Sequence, residues 1–285
     1  ETDLFADPIV YKSTSPYQKL TLTHAGNDTR LFINGALQFS SLDEHRYHES
    51  LVHPAMSLHS NAKKAVVMGG GDGMAVRELL RHPNLKEIVL VELDPMMIEL
   101  FRDKDELAKL NGFALRDKRV RIVTDDAFTW LRESKEGGFD IAIIDFPDPN
   151  NFSLGKLYTT HFYRLLKRAL TKDGIVSIQS TSPMFSPRAF WCIAETLRYE
   201  SYFVRPFHAY VPSFGEWGFI IASPKDLPQW GELPSSLEYL TSELLETLTV
   251  FPIDMQVDLD EIPINRLDNQ TLVRLYEEDW TRMHR

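Results

Sequence analysis

Between residues 64 and 180 one alternation repeats: apolar runs of strand length, AVVMGG, EIVLVELD, VRIVTDDA, FDIAIIDF and GIVSIQS, separated by stretches of helical character. A strand that is apolar on both faces must be covered on both faces, and helical crossovers supply the cover. The pattern therefore predicts a parallel sheet between two layers of helices. Helices are expected at Ala75–Arg81, Pro95–Leu107, Phe128–Glu133 and Thr159–Ala169. Downstream, YFVRPFHAYV and EWGFIIAS flank Pro212-Ser213-Phe214-Gly215 and read as a closing antiparallel pair. Seven strands ending in this way indicate an α/β, Rossmann-like fold of the methyltransferase type.

Ahead of this block, TLTHAGNDTRLFING sets two β-rich arms around Ala25-Gly26-Asn27-Asp28, and Asn34-Gly35 leads into the short strand ALQFS. A helix follows from Asp43-Glu44, with Asp43 as its candidate N-cap. The chain thus divides into a small antiparallel β lobe with a linking helix (1–55), the Rossmann-like domain (56–225) and a helical extension (226–285). Prolines 228, 234, 252 and 263 punctuate that extension, which is expected to pack on the sheet's flank.

A net charge of −10 argues against a nucleic-acid partner, which calls for a basic stripe. The single cysteine, Cys192, has no disulfide partner in the chain and lies in the apolar helical run Ala189–Leu197, as a buried structural thiol would. No apolar run approaches the ~18 residues of a membrane span, and no signal peptide opens the chain. The first residue is Glu1, not Met, as in an excised segment or a processed product.

In an open parallel sheet, ligands bind beyond the carboxyl ends of the strands, and here those ends are acidic or glycine-rich. The first closes in Gly69-Gly70-Gly71-Asp72-Gly73, a turn whose backbone can approach a ligand. The second closes in Val91-Glu92-Leu93-Asp94. Glu92 lies twenty residues beyond Asp72, where an acid accepts ribose hydroxyls, and Asp94 is placed to cap the helix at Pro95. Asp126, after the third strand, suits either an adenine amino group or a helix cap. Asp145 and Asp148 close the fourth strand. Carboxylates gathered in one desolvated site raise one another's pKa unless a cation compensates. A protonated diamine is such a cation; a divalent metal and simple Asp-Pro turn chemistry are the alternatives. A metal is disfavoured because no well-spaced histidine accompanies the acids, and His48-Glu49-Ser50-Leu51-Val52-His53 is not a zinc HExxH motif.

Taken in order, Tyr17-Gln18, Asn34-Gly35 with Gln38, Asp43-Glu44 with Tyr47-His48-Glu49, Gly69–Gly73, Val91–Asp94, Asp125-Asp126 and Asp145-x-x-Asp148-Pro149 resemble the spermidine synthase (polyamine aminopropyltransferase) family over residues 17 to about 220. The resemblance implies transfer of an aminopropyl group from decarboxylated S-adenosylmethionine, as co-substrate, to a diamine such as putrescine. No tightly bound cofactor and no metal are implied, because a sulfonium is already an activated leaving group. It implies Asp145 as general base and Asp148 as the holder of the diamine's other ammonium. Asp72 and His48 would line the channel where amine and aminopropyl group meet, with Tyr47 and Gln179 nearby. Gln18, Gly70, Glu92, Asp126, Ala127 and Pro149 would hold the nucleoside. A homodimer is a further implication. The variant DFPDPNNFSLGKLY with VPSFGEWGF resembles most a bacterial branch with an N-terminal membrane region. That implies a cytoplasmic domain tethered, in the full-length protein, to the inner membrane.

Three departures from the family pattern bear on the acceptor amine. Phe146-Pro147 replaces two small polar residues, which is expected to make the loop bulkier and stiffer. Phe214 stands where a tyrosine is common and removes a hydroxyl from the amine pocket. Asn150-Asn151-Phe152 replaces a proline-bearing segment.

Overall fold

The computed structural model describes residues 5–283. Strands β1 (Ile9–Thr14), β2 (Lys19–Ala25), β3 (Asp28–Ile33) and β4 (Ala36–Ser40) form an antiparallel four-stranded sheet in sequential order. Helix α1 (Glu44–Ser57) leads into the alternating block: β5 (Lys64–Gly69), α2 (Met74–Leu80), β6 (Glu87–Glu92), α3 (Pro95–Asp103), α4 (Asp105–Ala108), β7 (Val120–Thr124), α5 (Ala127–Glu133) and β8 (Phe139–Asp145). It continues through α6 (Phe152–Gly155), α7 (Thr160–Ala169), β9 (Leu170–Gln179), α8 (Pro187–Tyr199), β10 (Phe203–Val211) and β11 (Gly215–Ser223). Helices α9 (Ser242–Thr247) and α10 (Thr271–Met283) complete the fold.

The seven-stranded sheet runs β10-β11-β9-β8-β5-β6-β7, parallel from β9 to β7, with β11 and β10 antiparallel at one edge. Successive residues of one strand feed opposite cores, the period-two geometry of a strand buried on both faces. Val67 and Leu90 join Leu51, Leu79 and Phe101 on one side, while Val66 and Val89 join Phe162, Phe190 and Leu197 on the other. Cys192 is buried in the second layer, and burial pushes its thiol up to about 12, as for a structural cysteine.

Three local expectations need correction. The helix from Pro95 stops at Asp103, because side chains from elsewhere take up the carbonyls of its last turn: Asn111 Nδ2 bonds Phe101 O at 3.1 Å and Arg116 Nε bonds Arg102 O at 2.7 Å. Asp43 precedes α1, but its carboxylate makes no capping bond; it accepts the Ser213 amide at 2.7 Å and the Ser213 hydroxyl at 2.9 Å, tying α1 to the β10–β11 turn. The C-terminal tail does not stay on one flank. Leu233, Leu240 and Leu248 pack on the first core; the chain then crosses the β10 edge, where the His208 amide donates to Leu248 O at 3.1 Å. Phe251, Leu272 and Leu275 pack on the second core. The crossing covers an edge strand that would otherwise be open to pairing. Among the described residues no helix is long and apolar enough to cross a membrane.

Candidate active site

Strand β5 lies between β8 and β6, so the chain leaves β5 and β8 toward opposite faces and a crevice opens at their carboxyl ends. Along that mouth the strand order and the contacts rank the side chains: Gln179 on β9, Asp148 and then Asp145 from β8, Asp72 after β5, Glu92 on β6, Asp126 after β7. Four strand intervals of ~4.8 Å span ~19 Å, the scale of a nucleoside laid end to end with a short polyamine.

The glycine turn exists to let two loops touch. Gly69 pairs in register with Asp145, and a Cβ at Gly69 would lie 2.3 Å from the Asp145 carbonyl oxygen. One at Gly70 would lie 2.8 Å from Asp145 Oδ2, and both residues have positive φ, +79° and +68°. The turn delivers Asp72, buried, with Oδ1 accepting the Met74 amide at 2.9 Å at the start of α2. Burial pushes the Asp72 carboxyl upward, with His48 opposing.

Asp145 Oδ1 accepts the Tyr47 hydroxyl at 2.6 Å. Burial raises its carboxyl to about 6; His48 pulls it down and Asp72 pushes it up. Asp148 Oδ2 accepts the hydroxyls of Tyr276 at 3.0 Å and Thr181 at 3.3 Å, and Gln179 Nε2 approaches Oδ1 at 3.5 Å. Burial raises this carboxyl to about 6 in spite of the three donors. The cations near the cleft are engaged elsewhere: Arg77 with Glu44, Lys156 with Asp126 and Arg188 with Asp279. Among the described residues no lysine or arginine forms an ion pair with Asp72, Asp145, Asp148 or Glu92.

The positive charge close to these acids is His48. Its Nδ1 donates to Glu44 Oε2 at 2.7 Å, and Arg77 bonds both Glu44 oxygens at 2.8 and 2.9 Å. Burial alone would lower His48, but the carboxylates of Glu44, Asp72 and Asp145 hold it up at about 9. Glu44 falls to about 2, because His48 and Arg77 outweigh its burial. The imidazole is therefore an imidazolium at neutral pH, fixed on one edge by a carboxylate that is itself clamped.

At the other end, Glu92 Oε2 accepts the Gly71 amide at 3.1 Å and Oε1 the Asp94 amide at 2.9 Å. Burial, with Asp72 and Asp94 adding to it, lifts this carboxyl to about 7 against those two amides. Asp94 caps α3 through the Met96 amide at 3.0 Å and accepts the Ser15 hydroxyl at 2.7 Å. That second bond anchors the turn carrying Gln18, whose amide donates to Ser15 Oγ at 3.1 Å, beside the Glu92 end of the row. Asp126 caps α5 through Thr129 at 2.9 Å and also pairs with Lys156 Nζ at 2.9 Å. Burial would raise its carboxyl, but these two partners bring it below its ordinary value. Ala127 and Pro149 are both buried next to acids of the row.

Gln179 lies in the cleft wall with its amide engaged by the protein itself. Its Nε2 donates to Phe146 O and, at 3.1 Å, to the Tyr158 hydroxyl, while Oε1 accepts from Thr181 N at 3.0 Å and Trp217 Nε1 at 3.2 Å. Phe214 stands between Tyr47 (6.1 Å between ring centroids) and Trp217 (5.2 Å). Phe146 is turned into the second core against Phe162 and Tyr158, so its bulk leaves the cleft side of the loop free. Arg77, Thr181 and Tyr276 were not singled out from the sequence, and Glu44 was named there only as part of the Asp43-Glu44 motif, with no role at the site. The Glu44–His48 spacing of four on a helix was a readable signal; the other three carried none.

A family model described as the spermine/spermidine synthase domain matches residues 44–231. The chain is 47% identical over 283 residues to a polyamine aminopropyltransferase of Leptospira interrogans, covering 99% of this chain and 56% of that protein. It is 47% identical over 284 residues to a polyamine aminopropyltransferase of Ralstonia nicotianae, covering 98% and 55%. The chain thus spans about half the length of these curated relatives. Among solved structures it is similar to a spermidine synthase in complex with the transition-state analogue AdoDATO, with a TM-score of 0.77 and 27% identity over 86% of this chain and 85% of that one.

Proposed function

From the premise that the chain belongs to the spermine/spermidine synthase family, we propose that its cleft transfers the aminopropyl group of decarboxylated S-adenosylmethionine to a diamine, with putrescine as acceptor. The observation that carries this reading is the row of acids lacking lysine or arginine partners, Asp148, Asp145, Asp72 and Glu92, across the sheet mouth. Such a row destabilises the ligand-free protein and is relieved by a polycation.

In this reading Glu92 accepts the ribose hydroxyls, with Gln18, Gly70, Asp126, Ala127 and Pro149 around the nucleoside. Asp148 holds the diamine's distal ammonium and places the other nitrogen at Asp145. Asp145, raised to about 6, is ionised at neutral pH yet basic enough to take one proton from that nitrogen. The freed lone pair forms the new C–N bond at the methylene beside sulfur. The C–S bond breaks with its electron pair passing to sulfur, leaving neutral methylthioadenosine and spermidine. Tyr47 steadies Asp145 through its hydroxyl, Gln179 shapes the loop that carries Asp148, and Phe214 lines the amine's path. His48 and Asp72 lie between the two substrates. Most of the acceleration comes from holding nitrogen, methylene and sulfonium in line.

Asp72 also favours a donor lacking the methionine carboxylate, which this acid would repel. Donor choice is the test. Turnover of the decarboxylated donor with putrescine, read as spermidine by mass, is expected. Methyl transfer from the carboxylated donor without aminopropyl transfer would refute the proposal.

A further inference from the structure

We infer that Tyr276, on the C-terminal helix α10, is a positioning residue that makes the cleft selective for acceptors carrying a second ammonium; this rests on the aminopropyl-transfer reading above. Tyr276 lies on the C-terminal tail, outside the 44–231 segment matched by the family model.

The inference stands on how Asp148 is bonded. Its Oδ2 accepts two hydroxyls, Tyr276 at 3.0 Å and Thr181 at 3.3 Å, whereas Oδ1 receives only Gln179 Nε2 at the 3.5 Å limit. Two donors fill the lone pairs of one carboxylate oxygen. Oδ2 is therefore tied to the protein, which leaves Oδ1 as the oxygen with capacity to accept from a ligand's ammonium.

The hydroxyl is held on a stiff mount. The Arg188 amide and Nε bond Asp279 at 3.0 and 2.7 Å, and Arg188 Nη1 bonds Glu278 at 3.0 Å, pinning α10 to α8. Trp280 packs against Phe185 and Tyr276, with ring centroids 5.8 and 5.9 Å apart, and Leu272 and Leu275 are buried in the second core. A tyrosine placed this firmly cannot follow Asp148 if the carboxylate rotates, so it selects one rotamer.

The test compares two acceptors of equal length, putrescine and the corresponding monoamine, in wild type and Tyr276→Phe. The substitution removes only the hydroxyl. For Y276F, kcat/KM with putrescine is expected to fall about tenfold, mainly through KM, with the monoamine unchanged. The acid limb of the putrescine profile should also move to higher pH, since a donor favouring ionised Asp148 is gone. Methylthioadenosine affinity equal to wild type confirms an intact fold. An equal loss with both amines, as a purely structural role would give, overturns the inference. So does no loss with either. A wild-type protein that transfers nothing to any amine refutes the function itself, a result distinct from a Tyr276→Phe variant that behaves as wild type on an active enzyme.

Discussion

Replacing Asp148 by asparagine should make the ligand-free protein more stable at neutral pH while impairing amine binding. The Asp148 carboxyl is raised by burial from 3.8 to about 6. At ~1.4 kcal/mol per tenfold change in proton affinity, ionising it costs the fold about 3 kcal/mol. Asp148 keeps partial contact with the open cleft, and screening there reduces the expected effect to about 1–2 kcal/mol. The sign follows from proton uptake. Between pH 3.8 and about 6 the folded protein binds more protons at this site than the unfolded chain, so stability falls as pH rises through that window. The penalty is absent below it and complete above it. Asparagine keeps an oxygen for Tyr276 and Thr181 and carries no charge. Urea unfolding at pH 8 should therefore show Asp148→Asn more stable by about 1–2 kcal/mol, or a melting point raised by roughly 3–6 °C. At pH 4 the gain should vanish. No gain at pH 8, or the same gain at both pH values, would refute the reasoning.

Asp145→Asn should lower kcat by about two to four orders of magnitude, the range for losing a general base, with methylthioadenosine affinity unchanged by calorimetry. Glu92→Gln should chiefly weaken methylthioadenosine binding, since the proposed reading gives Glu92 the ribose and it stands two strands from the strand that carries Asp148; unchanged calorimetric affinity would contradict its ribose role. Gly70→Ala combines a φ of +68° with a contact of 2.8 Å to Asp145 Oδ2. It should destabilise the fold by about 1–2 kcal/mol in thermal unfolding and also reduce turnover by displacing the base.

The sheet was legible because its strands are apolar on both faces, a pattern that tolerates little besides a covered parallel arrangement. The acids of the row were legible because strand ends are where such folds bind ligands, and Asp94 as the cap of α3 follows from Pro95; that Glu92 also accepts the Gly71 amide, 21 residues away, did not show in the sequence. Asp126 could not be decided, and it does act as a cap, with Lys156 as a partner that no local spacing announced. What stayed hidden depends on distant contacts. Tyr276 meets Asp148 across 128 residues, and Asp43 meets Ser213 across 170, so a residue that looked like a helix cap serves as a tertiary tie. Phe146 was misleading for a related reason: its position marked it as loop bulk, but the available core space lay behind the loop. Periodicity reports which face of an element is apolar, not which partner a polar tip will find.

The most direct measurement is a crystal structure of the protein with methylthioadenosine and putrescine bound together. One putrescine nitrogen is expected on Asp148 Oδ1, the other beside Asp145 Oδ2 and in line with the sulfur, and the ribose hydroxyls on Glu92. A diamine bound away from Asp145 and Asp148, or those two carboxylates turned onto the protein's own arginines or lysines, would contradict it.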